Sequence, residues 1–367
     1  MSSIVPLLEK AISGRRLSAE DGHRLISSNE LAALAAAADA VTSIKLGDPF
    51  RTYHVDRNIN YTNICSSGCR FCAFSRPKGH AEGFVITREE LFAKIEETIA
   101  LGGDQILLQG GMHPDLPLRW YEDLLADIRK HYPSINIHGF SPPEIHHISR
   151  LAGLPEEDVL ARLKEAGLGS LPGGGAEILV DRVRERISPC KVSAEGWLAI
   201  CRAWHRLGGR GSATMMFGHV ETPEERIEHL VRLRAVQDET GGFTAFIPWT
   251  FQPPNTVLAD REPLGAWEYL KTLAVSRLML DNFDNLQASW VTQGLAVAQL
   301  ALRFGANDLG SVMIEENVVA ATGTRFFATE AQLRETIRLA GFTPRRRDVF
   351  YRFVDFEREP PGLEAIS

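Results

Sequence analysis

The sequence has no excess of positive charge. Its 40 lysines and arginines face 47 aspartates and glutamates, a formal net charge of −7. A nucleic-acid partner normally goes with a basic balance, so that class of function is set aside. Long apolar runs are missing too: no stretch approaches the ~20 residues that a membrane helix needs. Residues 1–10 carry no apolar signal core, and the expectation is a cytoplasmic protein with no membrane association. Cysteine is scarce, five in 367 residues, with three of them bunched together, which rules against a disulfide framework. The remainder, 44% hydrophobic and 24% charged, is ordinary for a globular chain. The length allows one large α/β domain with trimmings, or two average domains.

The bunched cysteines are Cys65, Cys69 and Cys72, spaced C-x3-C-x2-C with Phe71 just before the last. Three thiolates within eight residues can curl around one inorganic centre. A closed structural zinc site wants a fourth protein ligand, for which His80 is the nearby candidate. A three-cysteine loop without a fourth ligand suits an iron–sulfur cluster with one iron left open. Cys190 and Cys201 read as structural thiols.

Along the chain, residues 1–50 look helical, with Ser18 and Ser28 preceding helix-rich segments, and are expected to form an N-terminal cap. From residue 51, short apolar strands alternate with amphipathic helices. Strands are expected at 58–62, 105–109, 136–140, 169–171, 212–217, 244–247, 285–288 and 308–312. Helices are expected at 87–101, 119–131, 143–166, 193–207, 222–240, 265–280, 292–304 and 329–340. Thr87, Ser193 and Thr222 open three of these helices as caps. Alternation alone permits a doubly wound sheet, but eight βα units over ~275 residues point to a (β/α)8 barrel. The expected division is 1–50 cap, 51–325 barrel, and 326–367 a C-terminal helix and tail, with 357–367 as the tail.

Chemistry in such a barrel sits at the C-terminal strand ends. Here those ends carry glycine and polar residues: Gln109, Gly110 and Gly111; Ser141 and Glu144; Gly173 to Gly175 with Glu177; His219 and Glu221; Trp249, Thr250 and Gln252; Ser289; and Glu315. Gly110 and Gly111 read either as a close backbone approach to a ligand or as a plain turn. The three glycines from Gly173 lack the Lys and Ser/Thr of a phosphate loop. His219 with Glu221 reads as a base and its orienting partner, or as a satisfied loop histidine. Arg345, Arg346 and Arg347 read as a solvated face able to steer an anion.

The loop holding Cys65, Cys69 and Cys72 resembles the defining loop of the radical S-adenosylmethionine (radical SAM) superfamily. The resemblance implies a TIM-type barrel, with a [4Fe-4S] cluster on these three cysteines and S-adenosyl-L-methionine (SAM) on the open iron. Reductive cleavage of SAM gives a 5′-deoxyadenosyl radical in that family. It further implies Phe71 against the adenine, and Gln109, Gly110, Gly111, Ser141, Glu144 and Glu177 around SAM. The stretches 58–63, 109–114, 139–145, 172–178, 215–219 and 311–317 resemble a subgroup with two futalosine-route enzymes of menaquinone biosynthesis and the deazaflavin synthases. Residues 141–144 and 246–252 look most like the cyclic dehypoxanthine futalosine synthases. That family abstracts hydrogen from ribose C4′ of dehypoxanthine futalosine, and the C4′ radical then attacks the benzoate ring. With substrate expected against the exits of the later strands, Trp249, Thr250, Gln252 and Ser289 read as its contacts, and His219, Glu221 or Glu315 as the base. The electron would come from an external donor such as flavodoxin or ferredoxin. The alternatives are an aminofutalosine synthase, a deazaflavin synthase component, or a binding protein whose cysteines hold a structural metal.

Overall fold

The structure is a computed structural model that describes residues 3–47 and 49–354. Three helices come first: α1 (Val5–Ile12), α2 (Ala19–Ile26) and α3 (Leu31–Leu46). Ser18 accepts from the Asp21 N–H while the Asp21 carboxylate accepts from the Ser18 N–H, which fixes the start of α2. Leu25, Leu34 and Ala38 are fully buried, with α2 packed against the helices at 223–240 and 266–279 and α3 against the latter.

Strand β1 (Phe50–His54) continues through Val55 into β2 (Asp56–Asn60). Together they form one long strand with a different neighbour on each edge. The β1 half pairs in parallel with β7 (Asp308–Ser311), and the β2 half with β3 (Gln105–Gln109). Amide donation from Val312 to His54 O and from Ile314 to Asp56 O carries the β7 edge onward. From β3 the ring passes to β4 (Asn136–Gly139) and to a bridge at Ser170 and Leu171. It continues to β5 (Gly211–Phe217), β6 (Phe243–Thr250), a bridge at Leu286 and Gln287, and back to β7. All these pairings are parallel, so the fold is a closed (β/α)8 barrel.

Helices α4 (Arg88–Ala100), α5 (Leu118–His131), α9 (Ala194–Arg206), α10 (Pro223–Thr240), α11 (Ala266–Met279) and α13 (Glu330–Leu339) fall where the pattern placed them. Thr87, Ser193 and Thr222 each accept a backbone N–H as caps. Four local expectations are corrected. The helix expected over 143–166 is two, α6 (Pro142–Ala152) and α7 (Glu156–Ala166), because Gly153 takes the left-handed conformation (φ 65°) and Pro155 precedes the second. A short helix, α8 (Asp181–Ile187), was not expected. Helix α12 (Trp290–Ala301) begins earlier than 292 and breaks at Gly294 (φ 76°, ψ 164°). A further strand, β8 (Thr343–Arg346), pairs with β1 along the edge that β3 leaves free. The expected tail at 357–367 lies outside the described residues.

Side chains alternate along each strand. Ile59, Ile106, Leu108, Ile137, Met215 and Phe217 are buried in the apolar core. Their neighbours point inward, and many are polar: His54, Asp56 and Asn58; Gln105 and Gln109; Ser212 and Thr214; Gln287 and Ser289. The barrel therefore encloses a cavity of about 300 Å³ instead of a filled apolar interior. At the N-terminal strand ends, Arg347 binds both oxygens of Asp308 (2.7 and 2.8 Å), and Arg347, Val349 and Tyr351 line the cavity. Arg346 and Arg347 are thus buried, against expectation; Arg345 lies over the Phe50 ring. No helix among the described residues is long and apolar enough to cross a membrane.

Buried histidines make stability depend on pH. Burial holds the imidazoles of His138 and His229 at about 3, below the usual 6.5, with Arg347 and His54 adding to the effect at His138. The unfolded chain therefore takes up protons first as pH falls. Their contribution is complete above ~6.5 and is lost toward 3, by up to ~1.4 kcal/mol per pH unit for each group. Urea unfolding should show a lower midpoint at pH 5.5 than at pH 7; equal midpoints would contradict this assignment.

Candidate active site

The cysteine loop leaves the barrel at the end of β2 and closes on itself. The Cys65 N–H donates to Arg76 O (2.9 Å) and the Arg76 N–H to Asn63 O (2.8 Å). Asn63 also bridges Glu82 O and the Phe84 N–H. The exit of β3 lies directly against this loop. The Ser66 N–H donates to Met112 O (3.0 Å), and the Met112 N–H to Cys65 Sγ (3.3 Å). The Ser67 hydroxyl lies 3.0 Å from Cys65 Sγ and 3.2 Å from Cys69 Sγ. Cys65, Cys69 and Cys72 are all partly buried. His80 is exposed, with its Nδ1 accepting from the Glu82 N–H. Among the described residues, no three His, Cys, Asp or Glu side chains converge on a single metal ion.

The glycines after β3 serve this packing. A Cβ on Gly111 would lie 2.2 Å from Ile64 O, and one on Gly110 2.6 Å from the Tyr61 ring. The Gly110 N–H donates to Glu144 (3.1 Å), which also accepts from the Tyr61 hydroxyl (2.7 Å) and from the Ser141 N–H and hydroxyl (2.8 and 2.5 Å). Ser141 and Glu144 are thus the capping box of α6, and they fix the β3 exit. They do not line the cavity themselves, though a Cβ on the lining Gly174 would lie 3.3 Å from Ser141 Cβ. Burial raises the Glu144 carboxyl above its usual range, the four donors acting against that.

Gln109, Gly173, Gly174, Gly175 and Glu177 do line the cavity. A Cβ on Gly174 would meet the Gln109 amide at 2.6 Å, so glycine makes room for it. Glu177 is buried with a left-handed backbone (φ 39°), unusual for a non-glycine residue. Its Oε1 accepts from Lys191 Nζ (3.1 Å), while Oε2 holds no hydrogen bond but lies 3.6 Å from the Arg184 guanidinium. Lys191 Nζ also lies 5.0 Å from the Phe71 ring centroid, which ties Glu177 to the cysteine loop. Burial pushes the Cys69 thiol up to about 11, with the Lys191 ammonium opposing it. The sequence held no signal for Lys191, since its partners lie 14 or more residues away.

Several expected contacts lie elsewhere. The His219 Nε2 donates to Met216 O (3.0 Å) and Nδ1 accepts from the Val220 N–H (2.7 Å), while Glu221 accepts from the Gly218 and His219 N–H groups and pairs with Arg226 (2.9 Å). Both are buried in a loop clasp outside the cavity. Glu315 pairs with Lys94 of α4 (2.7 Å) and faces away; its neighbour Glu316 lines the cavity instead. Trp249 and Ser289 do face inward. Thr250, one residue out of phase, accepts from Gln293 (2.7 Å) and Gln252 (3.1 Å) outside the lumen. Gln252 lines a separate outer groove with Thr324 and Arg325.

Residues 59–233 match the radical SAM superfamily, and residues 240–359 the CofH/MqnC C-terminal region. Cyclic dehypoxanthine futalosine synthase of Halalkalibacterium halodurans is 46% identical over 352 residues, 96% of this chain and 95% of that protein. The chain belongs to the radical SAM superfamily. The cyclic dehypoxanthine futalosine synthase of Streptomyces coelicolor is 41% identical, across 98% of this chain and 91% of its own length. Aminodeoxyfutalosine synthase of Thermus thermophilus is 43% identical, with 96% of each covered. Among solved structures, the FeFe-hydrogenase maturase HydG from Carboxydothermus hydrogenoformans superposes with a TM-score of 0.74 at 17% identity, covering 95% of this chain and 80% of that one. At that identity the likeness speaks for the fold alone. Radical SAM enzymes use a [4Fe-4S] cluster and SAM, and those are the cofactors of this chain. The donor set fits: a cluster takes one thiolate per iron, so its ligands ring a volume and need not converge on one point. The N–H and hydroxyl groups at Cys65 and Cys69 Sγ suit sulfur ligands of such a centre.

Proposed function

We propose that the chain converts dehypoxanthine futalosine to its cyclic product, joining ribose C4′ to the benzoate ring, in menaquinone biosynthesis. The observation that carries this reading is near-full-length identity of 41–46% to two cyclic dehypoxanthine futalosine synthases. Cys65, Cys69 and Cys72 hold the cluster. Once bound, the cluster and SAM supply one-electron chemistry that removes a hydrogen atom from an unactivated carbon. The electron enters from an external one-electron donor such as flavodoxin or ferredoxin, and the enzyme works in the cytoplasm.

The chain itself binds, orients and excludes water. Phe71 offers a flat face for the adenine, beside Lys191. Gln109 offers an amide at the cavity wall. Oε2 of Glu177, which pairs with Arg184 at 3.6 Å but holds no hydrogen bond, accepts one from the ammonium or a hydroxyl of SAM. Gly110 and Gly111 act through the loop packing they permit. Trp249 and Ser289 hold the substrate within the lumen, where ring and C4′ stay at attack distance. Attack leaves an unpaired electron on the ring, which regains aromaticity by giving one electron to an external one-electron acceptor and one proton to a base at the site. His219, Glu221 and Glu315 do not line the lumen as it stands.

The fate of the adenosyl group tests the reaction. With deuterium at C4′ of the substrate, cyclisation should deliver the label into free 5′-deoxyadenosine, read by mass spectrometry. Adenosyl carbon found inside the product, with enolpyruvyl benzoate as substrate, would assign aminodeoxyfutalosine synthesis instead, the activity named for the 43% identical relative.

A further inference from the structure

Two acceptor oxygens on one strand of the lumen are left without donors. Asp56 and Asn58 lie two residues apart on β2, so both project to the same face, and both line the cavity. Each residue is 5% exposed, and Oδ1 of each has no hydrogen-bond partner. A buried acceptor without a donor carries a desolvation cost that something usually repays. The rest of the Asp56 carboxylate is fixed. Its Oδ2 accepts from Gln105 Nε2 (2.8 Å), Gln105 Oε1 accepts from Asn136 Nδ2 (2.8 Å), and Asn136 Nδ2 also reaches Ser170 Oγ (3.1 Å). A belt of neutral amides and a hydroxyl thus holds the carboxylate in place, leaving one oxygen over.

The surrounding charges say what would bind there. His54 is bonded to Asp104 through Nε2 (2.7 Å), with Nδ1 3.8 Å from Asp56. Arg347 is committed to both oxygens of Asp308. No cation lining the lumen, among the described residues, is free of a carboxylate partner, so an anionic group would meet Asp56 uncompensated. An uncharged, hydroxyl-rich group would supply the missing donors. The two Cα atoms are ~6.6 Å apart at strand spacing, a span that two hydroxyls of one sugar can bridge.

We infer that Asp56 and Asn58 form a hydroxyl-binding subsite that receives the sugar of the substrate and keeps the benzoate carboxylate away from this wall. This rests on the substrate reading given above. The test measures binding of dehypoxanthine futalosine, and of analogues lacking one ribose hydroxyl, to the cluster-loaded enzyme without reductant. Wild type should lose about 10–100-fold in affinity when the contacted hydroxyl is removed. Asn58→Leu, and independently Asp56→Asn as the more conservative change, should weaken the native substrate. The same deletion in the analogue should then cost little more, because the partner is already gone. Variants that bind native substrate as tightly as wild type, or that pay the full hydroxyl penalty again, would overturn the subsite. A wild-type enzyme that does not bind dehypoxanthine futalosine at all would instead defeat the substrate reading, and the subsite with it.

Discussion

Alanine at Cys65, Cys69 or Cys72 is expected to bring iron and sulfide content down to background and to end turnover, while Cys190→Ala and Cys201→Ala keep both. The loop has no cysteine beyond these three. His80 is exposed and its Nδ1 already accepts from the Glu82 N–H. Cys201 is buried on α9, where burial pushes its thiol well above the usual value and disfavours the thiolate that a metal needs. Cys190 is exposed beyond the end of α8. The three loop cysteines differ from these two in having amide, hydroxyl or ammonium groups gathered beside two of them. Iron and sulfide assays after anaerobic reconstitution decide the matter. A Cys190→Ala protein that fails to load, or a Cys72→Ala protein that loads fully, would reverse the ligand assignment.

The barrel was readable because each βα unit writes its own local pattern. Capping residues Thr87, Ser193 and Thr222 work through hydrogen bonds within three residues of themselves, and all three caps form. The cysteine spacing was readable for the same reason. The start of the first strand was not: Phe50–His54 carries buried Arg51 and His54 in place of an apolar alternation. Those polar residues belong to the interior and to distant partners, such as Asp104 for His54. Register was the other blind spot. Thr250 is one residue out of phase with the inward-facing Trp249, because one residue reverses the face. Glu315 lies past the end of β7, where the left-handed Met313 (φ 49°) ends the alternation and Glu316 lines the lumen instead. His219 and Glu221 show a further limit. A polar pair at a strand end serves a loop clasp as readily as a substrate, and only the contacts separate the two.

Valine at Gly111 is expected to abolish cluster loading as well as SAM binding, because the space beside Gly111 is filled by the cysteine loop. The added Cβ would sit 2.2 Å from Ile64 O, 2.7 Å from Ile64 C and 2.9 Å from Cys65 Cβ. Two of these are backbone atoms, which cannot swing aside as a flexible side chain would. Relief requires the loop and the β3 exit to separate. That separation breaks the Gly111 N–H bond to Thr62 O (2.9 Å), the Ser66 N–H bond to Met112 O and the Met112 N–H contact with Cys65 Sγ. Alanine carries the same Cβ, so Gly111→Ala should already load poorly. Gly68 gives the control. It lies in the same loop with φ 62°, and a Cβ there meets nothing within 4 Å. Gly68→Ala should therefore cost only the left-handed backbone penalty, ~1–2 kcal/mol, and still bind iron. Far-UV circular dichroism on all three variants checks that the barrel persists, and iron content reads the loop. A Gly111→Val protein that loads iron normally but no longer binds SAM would show that the glycine serves the cofactor directly, not the loop. Normal iron and normal SAM affinity together would refute both roles.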